Sequence, residues 1–277
     1  MLSYRLLSVA DSSSLYASFL EAFSDYQVDM RMSEQQFAQR IARDGVQLEI
    51  SAGAFDDKRM IGFYMNGAGN WQGKQTAYDA GTGVIPDYRR RGVGKDLFEF
   101  MVPKLKERSV SQYLLEVLCA NERAVALYRK LGFVEVRKLA VLRSNHALDA
   151  LDDPEMRPID QPDWKLFQSF WDGYPSWQNS IAAVERIPNE RMIVGAHVDG
   201  ECVGYGVLYT PAANLMQLAV SPAYRRKGIG SRILRALPAG EILKVNNVDN
   251  ELKGTLAFFE ANGFKVVLEQ FEMSRSI

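Results

Sequence analysis

Two stretches 136 residues apart (225 − 89) constrain this chain more than any other feature. Val84-Ile85-Pro86-Asp87-Tyr88-Arg89-Arg90-Arg91-Gly92-Val93-Gly94-Lys95 returns as Val220-Ser221-Pro222-Ala223-Tyr224-Arg225-Arg226-Lys227-Gly228-Ile229-Gly230. Each copy reads as a strand ending at a proline, a basic glycine-containing turn, and an apolar-periodic run. In the first copy that run predicts a helix from Asp96 to about Glu107. A turn of this kind presents backbone N–H groups at a helix N-terminus, where the dipole and the unpaired donors favour an anion. The expected ligand is a phosphate or pyrophosphate. The Gly-Lys-[Ser/Thr] ending of the nucleotide P-loop is missing, and Gly-x-Gly-x-x-Gly is not satisfied.

A duplicated unit needs room for two cores, and 277 residues supply two domains of ordinary size. With 33 basic against 34 acidic residues the net charge is −1, which gives no reason to expect nucleic acid or an anionic membrane as partner. The basic turns also lack the aromatic interleaving of a nucleic-acid surface. Cys119 and Cys202 do not form a disulfide framework. With only His146 and His197 in addition, no metal-ligand spacing occurs. No leader pattern or membrane-length apolar run is present, so a cytoplasmic location is expected.

Along the chain, Tyr4 to Val9 reads as a strand. Helices follow from about Leu15 to Phe23 and, capped by Ser33, from Glu34 to Arg43 with Gly45 beyond its end. Strands are expected over Leu48 to Phe55, Met60 to Asn66 and Thr76 to Ile85. Gly81 and Gly83 in the last of these suggest a bulge or a close backbone approach by a ligand. Strand Tyr113 to Leu118, helix Glu122 to Lys130 with Gly132 past its end, and strand Phe133 to Arg143 complete the first copy. Residues 144–155 read as a linker. The second copy, 156–277, has helices near Pro162 to Phe170 and Gln178 to Glu185. An Asp199-Gly200 hairpin and a strand Leu215 to Val220 follow. The helix after the second turn is stopped beyond Leu237 by Pro238-Ala239-Gly240.

The paired turns, together with Leu115-Glu116-Val117, Asn121, Ala124, Leu127-Tyr128 and Leu131-Gly132-Phe133 in order and spacing, make the chain resemble the GNAT superfamily of acyl-CoA-dependent N-acyltransferases. The match is clear over residues 1–143 and less complete over 156–277. It implies an α/β (α+β) fold of two tandem domains, each a mixed, largely antiparallel sheet flanked by helices. It also implies acetyl-CoA as acyl donor and an amine as acceptor. The cofactor-binding residues it implies are Val84, Ile85, Arg89, Arg90, Arg91, Gly92, Val93, Gly94, Lys95 and Asn121 in the first copy, and Val220, Arg225, Gly228, Ile229 and Gly230 in the second. The two N-terminal helices would wall the acceptor side, which brings the run Phe23 to Met30 into consideration.

Acyl transfer to an amine needs a base for the amine, donors for the developing oxyanion and a proton for the departing thiolate. By the resemblance Tyr128 is the acid. Glu116, twelve residues earlier (128 − 116), has the spacing of the base in the branch that acetylates ribosomal-protein alanine. Asp79 is the rival base. In the second copy the offset is 131 (263 − 132), which places Phe259 at the position of Tyr128, Asn247 at that of Glu116 and Leu252 at that of Asn121, where Asn250 could substitute after a two-residue slip. The N-terminal copy is therefore expected to be the catalyst and the C-terminal copy degenerate. The alternative is a CoA-binding sensor or scaffold without turnover.

Overall fold

The structure, a computed structural model, describes residues 2–237 and 242–277. In chain order the first half runs β1 (Leu2–Leu6), α1 (Ser12–Ala22), α2 (Glu34–Asp44), β2 (Ala52–Asp56), β3 (Arg59–Trp71), β4 (Lys74–Val84), α3 (Val93–Glu107), β5 (Gln112–Leu118), α4 (Glu122–Lys130) and β6 (Val134–Ser144). The second runs β7 (Met156–Pro158), α5 (Trp164–Gln168), α6 (Ile181–Glu185), β8 (Arg191–Val198), β9 (Glu201–Tyr209), β10 (Asn214–Val220), α7 (Ile229–Ala236), β11 (Lys244–Asp249), α8 (Lys253–Ala261) and β12 (Phe264–Ser276). The expected stop at Pro238-Ala239-Gly240 lies outside the described residues.

The chain divides into two compact units. One is the chain up to Val117 with Glu122–Val136 and Glu272–Ile277, and the other is Leu118–Asn121 with Arg137–Phe271. Strands of the N-terminal unit lie in the order β1-β2-β3-β4-β5, followed by the end of β12. Those of the C-terminal unit lie in the order β6-β11-β10-β9-β8-β7. The β4–β5 and β10–β11 pairs are parallel, and the hairpin and meander pairs are antiparallel. This is the mixed, largely antiparallel sheet with flanking helices that the resemblance implies, formed twice.

The units do not follow a division at 143 and 156. Arg143 and Leu142 of β6 pair with Lys244 and Val245 in the C-terminal unit. Conversely, Glu272–Ile277 belongs to the N-terminal unit. There the Ile277 N–H donates to Ser111 O at 3.1 Å, and Arg275 donates to Leu131 O at 2.5 Å while lying over the Phe98 ring. The physical reason is the exposed row of N–H and C=O groups that a terminal parallel strand would leave. In each unit that row is covered by chain from the other half of the sequence. Part of the expected linker is likewise held: Arg232 bridges Asp153 at 2.6 Å and Glu155 at 2.7 Å.

In the N-terminal unit β3 and β4 form a long hairpin that turns at Gln72-Gly73, both left-handed (φ 49° and 82°). Alternation along β3 gives it two apolar faces. Phe63 meets Phe19 of α1, and the next residue, Tyr64, meets Phe98 of α3. The expected strand Leu48 to Phe55 begins later, at Ala52, after a 3₁₀ turn over Leu48–Ile50. There the Ser51 hydroxyl bonds Gln47 O, the local bonding that competes with a ladder. The C-terminal unit repeats the layout, with Phe167 of α5 stacked on Tyr205 of β9 at 3.9 Å. Among the described residues no helix is long and apolar enough to cross a membrane.

The C-terminal strand contributes a fully buried side chain, Met273, to the N-terminal unit. Met273→Ala should therefore cost about 2–5 kcal/mol of stability by denaturant unfolding, the usual range for truncating a buried methionine. An unchanged midpoint would show that this strand is dispensable to the unit.

Candidate active site

The site begins with a defect in β4. Its pairing to β3 shifts so that Met65 faces Gly81 and Asn66 faces Asp79, leaving Ala80 as an extra residue. The bulge that Gly81 and Gly83 suggested is thus present. Gly83 has a packing reason as well, since a Cβ there would lie 2.8 Å from the Ala22 Cβ of α1. The parallel β4–β5 ladder runs from Thr76↔Gln112 to Asp79↔Leu115 and stops, although both strands continue. Beyond it the two strands are unpaired with each other, so a gap opens between Ala80–Val84 and the end of β5. The bulged carbonyl, Ala80 O, is held by Arg40 of α2 at 3.1 Å.

At the far end of β4 lies the basic turn. Arg90 (φ 63°) and Gly92 (φ 84°) are both left-handed, and α3 begins at Val93, three residues earlier than the apolar periodicity indicated. Gly94 and Lys95 therefore lie within the first helical turn. Gly92 is the N-cap and offers no side-chain acceptor, so the first-turn N–H groups remain available to an anion. A left-handed N-cap without a Cβ is what glycine permits at little cost.

Arg89 has a different task. Its guanidinium donates to Val84 O at 3.0 Å, to Ala22 O at 2.8 Å and to Asp25 at 2.7 Å, so it locks the strand end to the C-terminus of α1. Asp25, in the run considered for the acceptor side, is the partner in this clamp. Ile85 has a buried side chain and donates its N–H to Ile61 O, and Val93 is buried as well. Arg90 and Arg91 are exposed, and Lys95 pairs with Glu99 at 3.5 Å. Asn121 directly precedes α4, its N–H bonded to Leu118 O.

The three proposed proton-handling residues stand where the ladder ends. Asp79 and Leu115 form its last pair, Glu116 is the next residue on β5, and Tyr128 projects from α4. Tyr78 donates to Glu116 Oε2 at 3.0 Å, and Tyr128 donates to Asp79 Oδ2 at 3.4 Å. Because residues 78 and 79 are consecutive in a strand, the two carboxylates lie against opposite faces of the sheet. Glu116 is on the face of α2, and Asp79 and Tyr128 are on the face of α3 and α4. Asp79 is held further by Thr82 Oγ1 at 2.6 Å and by the Gly81 N–H at 2.9 Å. Burial pushes its carboxyl up to about 6, against the lowering effect of these hydrogen bonds. Burial, then the Asp79 charge, drives the Tyr128 phenol well above its ordinary value. The sequence reading missed Thr82, Tyr78 and Tyr64; only the bulge, which sets which residues share a face, places them here.

The second copy keeps the scaffold. Met216 is the bulged residue, the β10–β11 ladder stops after Leu215↔Val245, and Arg226 (φ 62°) and Gly228 (φ 78°) repeat the turn. Arg225 repeats the clamp, donating to Val220 O at 3.0 Å, Phe170 O at 2.9 Å and Asp172 at 2.7 Å. Phe259 packs edge-on against Phe264 at 5.2 Å, as Tyr128 does against Phe133 at 5.6 Å. Beside this turn is a cavity of about 740 Å³ whose walls include Arg226, Gly228, Gly230, Asn247 and Phe258. Ile229 is buried at its edge. Asp172, Asp249 and Arg225 line it together with Arg226, and beside them runs a neutral network. Trp171 donates to the Tyr205 hydroxyl (2.6 Å), Tyr205 to Gln217 (2.7 Å) and Gln217 to Asn179 O (2.6 Å). Asn247 donates to Ser176 at 3.2 Å.

Comparison with known proteins gives the family and the fold. Residues 13–133 match the acetyltransferase (GNAT) family, and residues 188–266 match a second acetyltransferase (GNAT) domain. The chain belongs to the GNAT acetyltransferases and carries their domain twice. Over 63 residues, 23% of this chain, it is 43% identical to the [ribosomal protein bS18]-alanine N-acetyltransferase of Escherichia coli, a match that spans 40% of that protein. A 57-residue stretch is 40% identical to an N-alpha-acetyltransferase of Sulfurisphaera tokodaii, across 34% of its length. The whole chain superposes on a putative acetyltransferase from Pyrococcus horikoshii (TM-score 0.73, 16% identity, 89% of that chain). It does so equally on a tandem GNAT protein from the clavulanic acid biosynthesis pathway (TM-score 0.73, 14% identity, 98% of that chain). These two likenesses show the fold.

Arg89→Ala should lower the stability of the N-terminal unit by about 1–2 kcal/mol, the worth of a partly exposed charged hydrogen-bond cluster. Arg90→Ala, at an exposed position, should stay within about 0.5 kcal/mol. Denaturant unfolding of the two variants measures this, and equal midpoints would remove the clamp.

Proposed function

We propose that the N-terminal domain transfers an acetyl group from acetyl-CoA to a primary amine of a small molecule or peptide by direct attack. One observation carries this reading: a carboxylate and a phenol stand on opposite faces of the sheet at the point where β4 and β5 part. A primary amine is mostly protonated at neutral pH and must lose a proton before or during attack, and the departing thiolate must gain one. Glu116, on the α2 face, takes the first role. Tyr128, on the α4 face, takes the second. Backbone N–H groups of the unpaired end of β4 are suited to the developing oxyanion, and the turn from Arg90 to Lys95 to the pyrophosphate. Two of the relatives are named as a ribosomal-protein alanine N-acetyltransferase and an N-alpha-acetyltransferase, which supports an amine acceptor without fixing which one.

The test is CoA release from acetyl-CoA with a panel of amines and peptides. Tyr128→Phe should reduce kcat by about 10²–10⁴-fold, the usual worth of a positioned proton donor, whereas Phe259→Tyr should leave kcat unchanged. The reverse pattern would move the chemistry to the other domain.

The cavity favours a second role for the C-terminal domain: holding CoA or acetyl-CoA without turning it over, as in the sensor reading. Its turn repeats the left-handed geometry, but Leu215 and Phe259 stand where the first domain has Asp79 and Tyr128, and the Tyr205 phenol is engaged with Gln217. Equilibrium dialysis should find two acetyl-CoA molecules per wild-type chain and one in an Arg226→Glu/Lys227→Glu variant, with turnover intact. One per chain in both would leave the cavity without this ligand.

A further inference from the structure

Asp79 entered as a rival base for the amine, yet its surroundings belong to the phenol. The carboxyl is buried on the α4 face. Its Oδ2 accepts from Tyr128 and Thr82, and its Oδ1 accepts from the Gly81 N–H. The ionisable groups that face it are the phenols of Tyr64 on β3, Tyr113 on β5 and Tyr128 on α4, with Tyr26 beyond Tyr128 and the Arg40 guanidinium on α2. Glu116, on the opposite face, answers to Tyr78.

The second copy supplies an internal comparison. At the 136 offset of the strand, Asp79 corresponds to Leu215 (215 − 79). At the 131 offset of the helix, Tyr128 corresponds to Phe259 (259 − 128). Leu215 and Phe259 sit together in one apolar cluster. The carboxyl and the phenol are present together in one domain and replaced together in the other. A carboxyl kept only for packing or for the bulge would not need to follow the phenol, since Met216 forms the same bulge beside Leu215.

We propose that Asp79 is a positioning residue for Tyr128: its buried carboxyl holds the phenol in the gap and, in its protonated form, donates to the phenol oxygen while the phenol proton passes to the leaving sulfur. This rests on the reading of Tyr128 as the acid. The proton balance is closed. The Tyr128 O–H bond breaks as the S–H bond of CoA forms, and the Asp79 proton moves toward the phenolate. The proton taken from the amine by Glu116 returns through solvent to restore Asp79. An ionised Asp79 would instead accept the phenol hydrogen, as in the arrangement seen, and would oppose a phenolate beside it.

A double-mutant cycle tests it. Asp79→Leu should lower kcat at least 10-fold with little change in KM for acetyl-CoA, and should have no further effect in a Tyr128→Phe background. Equal fold-losses in both backgrounds would overturn the coupling. A Tyr128→Phe variant with wild-type kcat would instead overturn the acid reading itself. Asp79→Asn, whose amide can donate to the phenol oxygen at any pH, supplies a readout that packing alone would not move: its kcat relative to wild type should rise as pH increases through about 6. A ratio constant from pH 5 to 8 would contradict the proposal. The fold is checked by melting. With its pKa raised, the Asp79 contribution to stability is complete below the ordinary carboxylate range and lost as pH rises through about 6. Asp79→Asn should therefore melt no lower than wild type at pH 8.

Discussion

The early end of the β4–β5 ladder is the constraint from which the rest of the N-terminal domain follows. One surplus residue, Ala80, turns β4 away from a neighbour that it would otherwise continue to bond, and the Asp79↔Leu115 pair is the last. Such a gap costs backbone hydrogen bonds and persists only if both of its ends are fixed. Arg40 fixes the near end by taking the bulged carbonyl, and Arg89 the far end by tying Val84 to α1. Glu116, Asp79, Tyr128 and the left-handed turn from Arg90 to Gly92 are all placed by reference to that gap.

The duplication separates what both domains share from the ionisable groups that the proposed chemistry uses. Bulge, arginine clamp, left-handed turn and edge-on aromatic pair are present in both domains with nearly the same distances. The ionisable groups are not. A buried carboxyl is costly unless something uses it, and where the phenol has become Phe259 the carboxyl has become Leu215. At the 131 offset Asn247 answers to Glu116, while the ladder register, Leu215↔Val245 against Asp79↔Leu115, puts Asn246 next to the last pair; the Asn247 amide donates to Ser176 beside the cavity. Neutral groups bind and orient without exchanging protons at ordinary pH.

Much of this was legible in the residues. The two basic turns announced themselves because a left-handed N-cap calls for glycine, and Gly92 and Gly228 are both used that way. The repeat fixed two domains, and the spacing of Glu116, Asn121 and Tyr128 fixed the family. The strand exchange was not legible, because the alternation in β6 and β12 suits either neighbour and only the pairing shows which was chosen. Arg89 and Arg225 read as phosphate ligands by their letter; that their donors are spent on Val84 O and Val220 O depends on how α1 and the segment around Phe170 come to lie beside the strands. The Asp79–Tyr128 bond joins residues 49 apart (128 − 79) through the face assignment that a single bulged residue decides.

On the proposed reading acyl transfer occurs in the N-terminal gap and not in the C-terminal cavity. Gly92 and Gly228 are equivalent positions, both left-handed N-caps, with no protein atom within 3.5 Å of the place a Cβ would take. Glutamate at either puts a side chain on a left-handed residue and a negative charge against a pyrophosphate in one cleft only, at Gly92 with the Asp96 carboxylate 3.7 Å from the new Cβ and at Gly228 with no atom within 4 Å. The decisive measurement is the rate of CoA release by the two variants with a responsive amine. Gly92→Glu should abolish it and Gly228→Glu should leave it near the wild-type rate; loss in Gly228→Glu with activity retained in Gly92→Glu would contradict the assignment.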